Sequence, residues 1–194
     1  MATDDEYPVP GVDQTRAELD AHEEGPAGYG MMWVECVLAG DLLSAWALLD
    51  DPFRLALAQQ WIDANREDAD VARFDRDDLA HDLSNPTCVQ HPLWPRVHDA
   101  VLAELRRDLA GWDAERLGFL SRPRPVSPGY EVVVLGQGTE VEVIDHSRPM
   151  VAYPMLMHLT ERGWLIARAG ADTASIPGWP PTFPPGRLMT RVES

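Results

Sequence analysis

The sequence predicts an α+β domain in which N-terminal helices pack on a curved antiparallel sheet formed by the C-terminal third. Three observations predict it. Residues 151–159 alternate with the two-residue period of a strand, Val151, Tyr153, Met155, Met157 and Leu159 sharing one face. Glu161, Arg162 and Gly163 then form a polar turn into a second alternating run, residues 164–169, which makes a hairpin. Upstream, residues 31–49 are apolar nearly all round at helical spacing, the mark of an enclosed helix.

Each further element has a local cause. Residues 130–135 and 141–146 read as additional strands, set off by Gly136, Gly138 and the Ser147 to Pro149 turn. Pro154 cannot donate to a ladder, which predicts a bend in the 151–159 strand. Asp51 as N-cap and Pro52 as first helical residue start a second helix over 52–66, carrying Leu55, Ala58, Trp61 and Ile62. From residue 63 to residue 82 eight acids stand against three arginines, with Phe74 and Leu79 as the large apolar residues aimed inward. Asp75 followed by Asp78 resembles a helix start, and Ser84-Asn85-Pro86 ends whatever forms. Pro95 opens a third long helix with Val97, Val101, Leu105 and Leu109 on one stripe and Gly111 as its cap. A short helix over 113–120 and an extended proline linker over 122–129 lead into the strands.

These elements divide the chain into an acidic tail over 1–29, one α+β domain over 30–170 and a proline-rich C-terminal tail over 171–194. The 194 residues carry 32 acids and 16 bases, for a formal charge of −16, and every base is arginine. The absence of lysine excludes Schiff-base chemistry and a Walker-type phosphate loop. Residues 1–120 hold 25 of the acids and 9 arginines, so the acidic surface belongs to the helical part, which disfavours a nucleic-acid partner. The arginine- and alanine-rich usage suggests a bacterial genome of high GC content. No apolar run approaches a membrane span, and the start Met-Ala-Thr-Asp-Asp-Glu lacks the features of a signal peptide, so a cytoplasmic location is expected. Cys36 and Cys88 are then expected as free thiols.

The order of helical hairpin, further helices and closing strands resembles the NTF2-like (SnoaL-like, cystatin-like cone) superfamily. The residues that carry the resemblance are Val37-Leu38-Ala39-Gly40-Asp41-Leu42-Leu43-Ser44-Ala45-Trp46-Ala47-Leu48-Leu49 and Met155-Leu156-Met157-His158-Leu159-Thr160-Glu161-Arg162-Gly163-Trp164-Leu165-Ile166-Ala167. The first is similar to the family's opening helix, the second to its closing hairpin. The resemblance implies a cone whose mouth forms a pocket, and a strand or hairpin between the second and third long helices, where residues 67–92 are acidic and poor in β-formers. Members include isomerases, dehydratases, epoxide hydrolases and binding domains, so it leaves enzymatic activity open.

Within such a cone the polar candidates are His158, Tyr153 and Asp41 as catalytic residues, with Tyr130, Asp145 and His146 nearby. Asp145 and His146 are neighbours that point to opposite faces of a strand and sit beside turn residues, so a turn role suits them better. Arg54, Asp63 and Arg66 resemble the acid and arginine combinations of epoxide-opening members, without matching residues on the strands, and a solvated helix face is the plainer reading. Asp68-Ala69-Asp70 begins like a calcium loop, yet Ala72 and Arg73 stand where a ligand and the turn glycine belong, and His91 and His98 have no ligand spacing; no metal and no cofactor are expected. Trp179 and Phe183, set among prolines, are candidate interaction residues, either for a partner or for packing back on their own domain. The resulting expectation is a noncatalytic domain for protein interaction or assembly, with a protein partner or a homodimer. The alternatives are a small enzyme or small-molecule carrier with an apolar pocket, and an acidic inhibitor of a basic protein.

Overall fold

The structure is a computed structural model that describes residues 25–119, 123–137 and 152–170. The expected strand over 141–146 and the candidates Asp145, His146, Trp179 and Phe183 lie outside the described residues, as do both tails up to residue 24 and from residue 171.

The helical half is built by caps that follow one another closely. Helix α1 (Pro26–Ala39) buries Ala27, Trp33, Val34 and Val37. It does not run on to Leu49 as its apolar content predicts. Gly40, with φ 86°, closes it in a Schellman arrangement: Gly40 N–H donates to Val37 O at 3.1 Å and Asp41 N–H to Cys36 O at 2.9 Å. Asp41 then caps α2 (Leu42–Ala47), accepting from the Ser44 backbone N–H at 3.0 Å and the Ser44 hydroxyl at 2.6 Å. The next cap falls one residue earlier than predicted. Asp50, not Asp51, accepts from Phe53 N–H at 2.9 Å and starts α3 (Asp51–Ala64), because an N-cap side chain reaches the N–H three residues on. Helix α4 (Arg76–Ser84) begins at the Asp75 cap and buries Leu79 and Leu83. Helix α5 (Trp94–Asp108) buries Trp94, Val97, Val101 and Leu105 on the predicted stripe, and Leu109 continues it. Arg106 clamps α5 to the end of α1, donating from Nε to Val37 O at 3.0 Å and from Nη2 to Leu38 O at 2.7 Å.

Five described strands form one antiparallel sheet: β1 (Leu117–Phe119), β2 (Arg124–Ser127), β3 (Tyr130–Gln137), β4 (Ala152–Thr160) and β5 (Gly163–Ala169). Both β1 and β2 pair with β3, β1 along residues 135–137 and β2 along residues 130–132, and β4 and β5 follow on its other side. Two expectations are corrected here. The predicted helix over 113–120 is a single 3-10 turn, Ala114–Arg116, followed by β1, since Asp113 caps only Glu115 N–H and the chain then extends to meet β3. The predicted linker is strand β2, turned back on β3 by Pro128-Gly129. Gly129, at φ 76°, fits the left-handed position of a type II turn after proline. Along β4 the register break does not fall at the proline. β4 runs through Pro154 paired with Val134, and the slip lies on β5, where Ala167 is the extra residue opposite Leu156 and Met157. Pro154 is tolerated because its carbonyl accepts from Gly170 N–H at 3.2 Å, so its missing donor falls where β5 ends.

The predicted alternation in β4 holds from Tyr153 to Met157. Tyr153, Met155 and Met157 are buried, with Val133 and Leu135 of β3 and Ile166 of β5, in one core with Trp33, Trp46, Leu49 and Phe53. Leu159 continues the same face yet is 50% exposed. The free edge of β5 is closed by the corner between α2 and α3: Ile166 N–H donates to Leu48 O and Asp50 N–H to Ile166 O, both at 2.9 Å, in a parallel bridge. Residues 67–92 form α4 and the 3-10 turn Cys88–Gln90, not a strand or hairpin. No helix among the described residues is long and apolar enough to cross a membrane.

Gly40 is the sharpest test of this arrangement, because a Cβ there would lie 2.8 Å from Arg106 Nη2. Gly40→Ala should lose about 2 kcal/mol in urea unfolding, from left-handed strain and loss of the clamp. Gly111→Ala, at φ 83° with nothing within 4 Å of the added Cβ, should lose only about 1 kcal/mol. Equal losses would show that the clamp contributes nothing.

Candidate functional site

The densest polar assembly grows from the corner that closes the sheet. The corner puts two consecutive carboxylates, Asp50 and Asp51, at the start of α3, and a single cation, Arg54, one turn later on a helix otherwise apolar at that end. Arg54 is 3% exposed. Its guanidinium donates to Leu49 O, to Trp46 O at 3.4 Å, to Ser84 O at 2.8 Å and to the Asp51 carboxylate. One side chain thereby satisfies carbonyls left at the ends of α2 and α4. The reading of Arg54 as part of a solvated helix face is therefore corrected; Asp63 and Arg66 do form an exposed pair at 3.4 Å. Arg162, in the β4–β5 turn, reaches the same Asp51 oxygen at 2.8 Å and ties that turn to α3.

Asp50 is buried, and its second carboxylate oxygen lies 3.3 Å from His158 Nδ1. Burial holds its carboxyl above the usual range, outweighing the Phe53 N–H and the His158 ring, which pull the other way. The His158 side chain, 29% exposed, is covered on one face by Tyr130, its cross-strand partner, with ring centroids 4.2 Å apart and planes 8° from parallel. An imidazole oriented by a carboxylate is suited to exchange a proton at its other nitrogen. The same contacts also fix the Tyr130 ring.

Tyr130 forms one wall of a surface groove of about 510 Å³ between the β2–β3 turn and the β4–β5 hairpin. Its other walls include Pro125, Val126, Pro128, Leu159 and Trp164. Val126 and Leu159 are 56% and 50% exposed, so the groove is open and mostly apolar, with Glu131 as its ionisable acid. A second groove, of about 580 Å³, is lined by Asp51, Arg54, Leu55, His81 and Arg162 among others. There the two arginines already converge on Asp51. His158 lines neither groove.

No protein-family model matches this chain, and no curated protein or solved structure is significantly similar to it.

The three residues singled out as catalytic do not converge. Tyr153 points into the core, stacked on Trp33 at 6.3 Å and edge-on to Trp112 at 5.9 Å, five positions from His158 and thus on the opposite face of β4. Its hydroxyl is buried with no partner among the described residues, and burial pushes its ionisation far above the ordinary phenol value. Asp41 is an exposed cap whose carboxyl is held below its ordinary value by the Ser44 hydroxyl and N–H. Cys36 is held above the ordinary thiol value by burial and then by Asp41 and Glu35, which leaves it a protonated, weak nucleophile at neutral pH. The acids and histidines weighed for metal are engaged separately: Asp68 with Arg96 at 2.6 Å, His91 with Leu93 N–H at 3.2 Å and with the Phe74 ring, and His98 with Asp99 at 3.0 Å. Sequence reasoning missed Asp50 and the centrality of Arg54. The available signal was an arginine placed between Phe53 and Leu55 on an otherwise apolar helix face.

Two measurements follow from the buried assembly. Arg54→Met should cost about 3 kcal/mol in urea unfolding, because the carbonyls of Leu49 and Ser84 lose their donor; a loss below about 1 kcal/mol would show the guanidinium to be dispensable. Because the Asp50 carboxyl binds its proton more tightly folded than unfolded, its contribution to stability is complete below the unfolded value and is lost as pH rises through the folded one. Asp50→Asn keeps a capping side chain and removes this titration. The unfolding free energy of the wild type minus that of the variant should therefore fall over the pH interval that begins in the ordinary carboxylate range and extends above it. A difference that rises over that interval contradicts the assignment.

Proposed function

We propose that this chain is a noncatalytic protein-interaction domain of NTF2-like type, and that its docking surface is the Tyr130, Leu159 and Trp164 groove. The observation that carries the reading is the pairing of two half-exposed aliphatic side chains, Val126 and Leu159, with aromatic and proline walls at one place on the surface. The filled core between helices and sheet supports it as well. Trp33, Val133, Leu135, Met155 and Met157 are buried in one cluster, whereas an enzyme of the cone type would need an open pocket there. The order of helices followed by an antiparallel sheet supports the NTF2-like comparison, and the helix at residues 76–84 is a departure from that family's pattern.

The chemistry of the groove selects its partner. Strand addition at the β2 edge is disfavoured, since Pro125 interrupts that row of donors. Side-chain docking of an extended segment bearing proline and aromatic residues suits walls made of tyrosine, tryptophan and proline, and such a segment has little ordering entropy to lose. An acidic segment would meet the repulsion of a chain with net charge −16.

A displayed library of short peptides selected on the full chain should enrich sequences with proline beside aromatic residues. Leu159→Asp should weaken binding of the selected peptides about tenfold or more, near 1.4 kcal/mol, with little change in melting temperature because Leu159 is exposed. Selected peptides without those residues, or binding indifferent to Leu159→Asp, would remove the groove as the docking surface.

A further inference from the structure

The groove has a candidate occupant of the right chemistry in its own chain. Beyond Gly170 the sequence runs for 24 residues and includes Ile176-Pro177-Gly178-Trp179-Pro180-Pro181-Thr182-Phe183-Pro184-Pro185, five prolines and two aromatic rings within ten residues. That composition favours an extended left-handed conformation and mirrors the groove walls of proline, tyrosine and tryptophan. The segment from residue 171 onward has two acids and two arginines, so it is not repelled by the acidic body as an acidic partner would be.

The chain can reach. β5 starts beside the groove, which Trp164 lines, and ends at Ala169. Six residues of strand place Gly170 roughly 20 Å from Trp164. Trp179 is nine steps along the chain from Gly170, and extended chain spans up to about 30 Å over that length. Trp179 can thus return to the groove within one chain, with Phe183 roughly 12 Å further along an extended segment. Attachment holds such a segment at an effective concentration on the order of millimolar, enough to keep even a weak intrinsic contact largely formed.

We infer that residues 176–185 of this chain occupy the groove in cis, with Trp179 and Phe183 against Val126, Leu159 and Trp164, and that a partner must displace them to bind. The inference rests on the groove being a docking surface, and makes that surface self-masked. A partner then gains access only by outcompeting the tail or by acting on it.

Two measurements on the full chain test this. With p-benzoylphenylalanine in place of Phe183, irradiation should give cross-links within the chain to residues 125–131 or 159–164, at a yield unchanged by tenfold dilution. Replacing Trp179 and Phe183 together by alanine should tighten binding of a groove-selected peptide about tenfold, as the internal competitor is lost. Cross-links that fall elsewhere, or that join two chains and fade on dilution, overturn the inference, the latter in favour of exchange between copies. Peptide binding that depends on Leu159 but is indifferent to the two tail substitutions overturns self-masking and leaves the docking surface standing. Cross-links in the groove without Leu159-dependent peptide binding to either chain support the cis contact and instead overturn the partner-docking function.

Discussion

The pair of hydrogen bonds that joins Leu48 and Asp50 to Ile166 holds the helical half and the sheet in one arrangement. A strand edge left open is a hazard, and here the corner between α2 and α3 lies along the β5 edge in its place. The same corner carries the cap of α3 in Asp50 and directs Arg54 onto the carbonyls of Trp46, Leu49 and Ser84. Backbone pairing, helix capping and a buried guanidinium therefore converge within seven residues of chain, from Leu48 to Arg54. Loss of any one leaves buried polar groups without partners, a cost larger than the net value of an ordinary hydrogen bond.

From that corner the two faces of the sheet acquire different roles. Helix α1 lies on the face that carries Val133, Leu135, Tyr153, Met155, Met157 and Ile166, and the core is filled there by tryptophan, methionine and leucine side chains. The cover ends before the strands do. Leu159 belongs to the same alternating set as Met155 and Met157, yet it emerges into solvent beside Trp164 and the β2–β3 turn. The groove is this overhang. Its Tyr130 wall is held by His158, which is in turn tied to Asp50, so the interior polar assembly and the exterior apolar surface share one chain of contacts. Within that chain the histidine positions a ring, and the proposed function needs no chemistry from it.

Much of this was legible in local patterns. The two-residue alternation of β4 and β5, the Asp75 start of α4 and the Val97, Val101, Leu105 stripe of α5 are set by interactions within a few residues, which a sequence displays directly. The misreadings share one cause. Arg124-Pro125-Val126-Ser127 and Leu117-Gly118-Phe119 are poor strands by composition and become strands because β3 offers a long edge for both to pair with. The apolar run from Met31 to Leu49 resembles one helix until Gly40 is placed in the left-handed region and Arg106, distant in sequence, takes the carbonyls that the break exposes.

The sequence by itself determined the fold class, the burial of the aromatic and methionine-rich faces, and the lack of lysine chemistry, because periodicity and composition are properties of the chain alone. Only the tertiary structure decided that Tyr153 packs against Trp33 and Trp112, that Asp41 is a cap on the surface, and that Asp50 and Arg54 are the buried polar residues that matter. It alone also brought Pro125, Val126, Leu159 and Trp164 around one groove. A polar side chain takes its role from neighbours far away in the chain, and which neighbours it meets is fixed by packing and strand pairing rather than by its own local sequence.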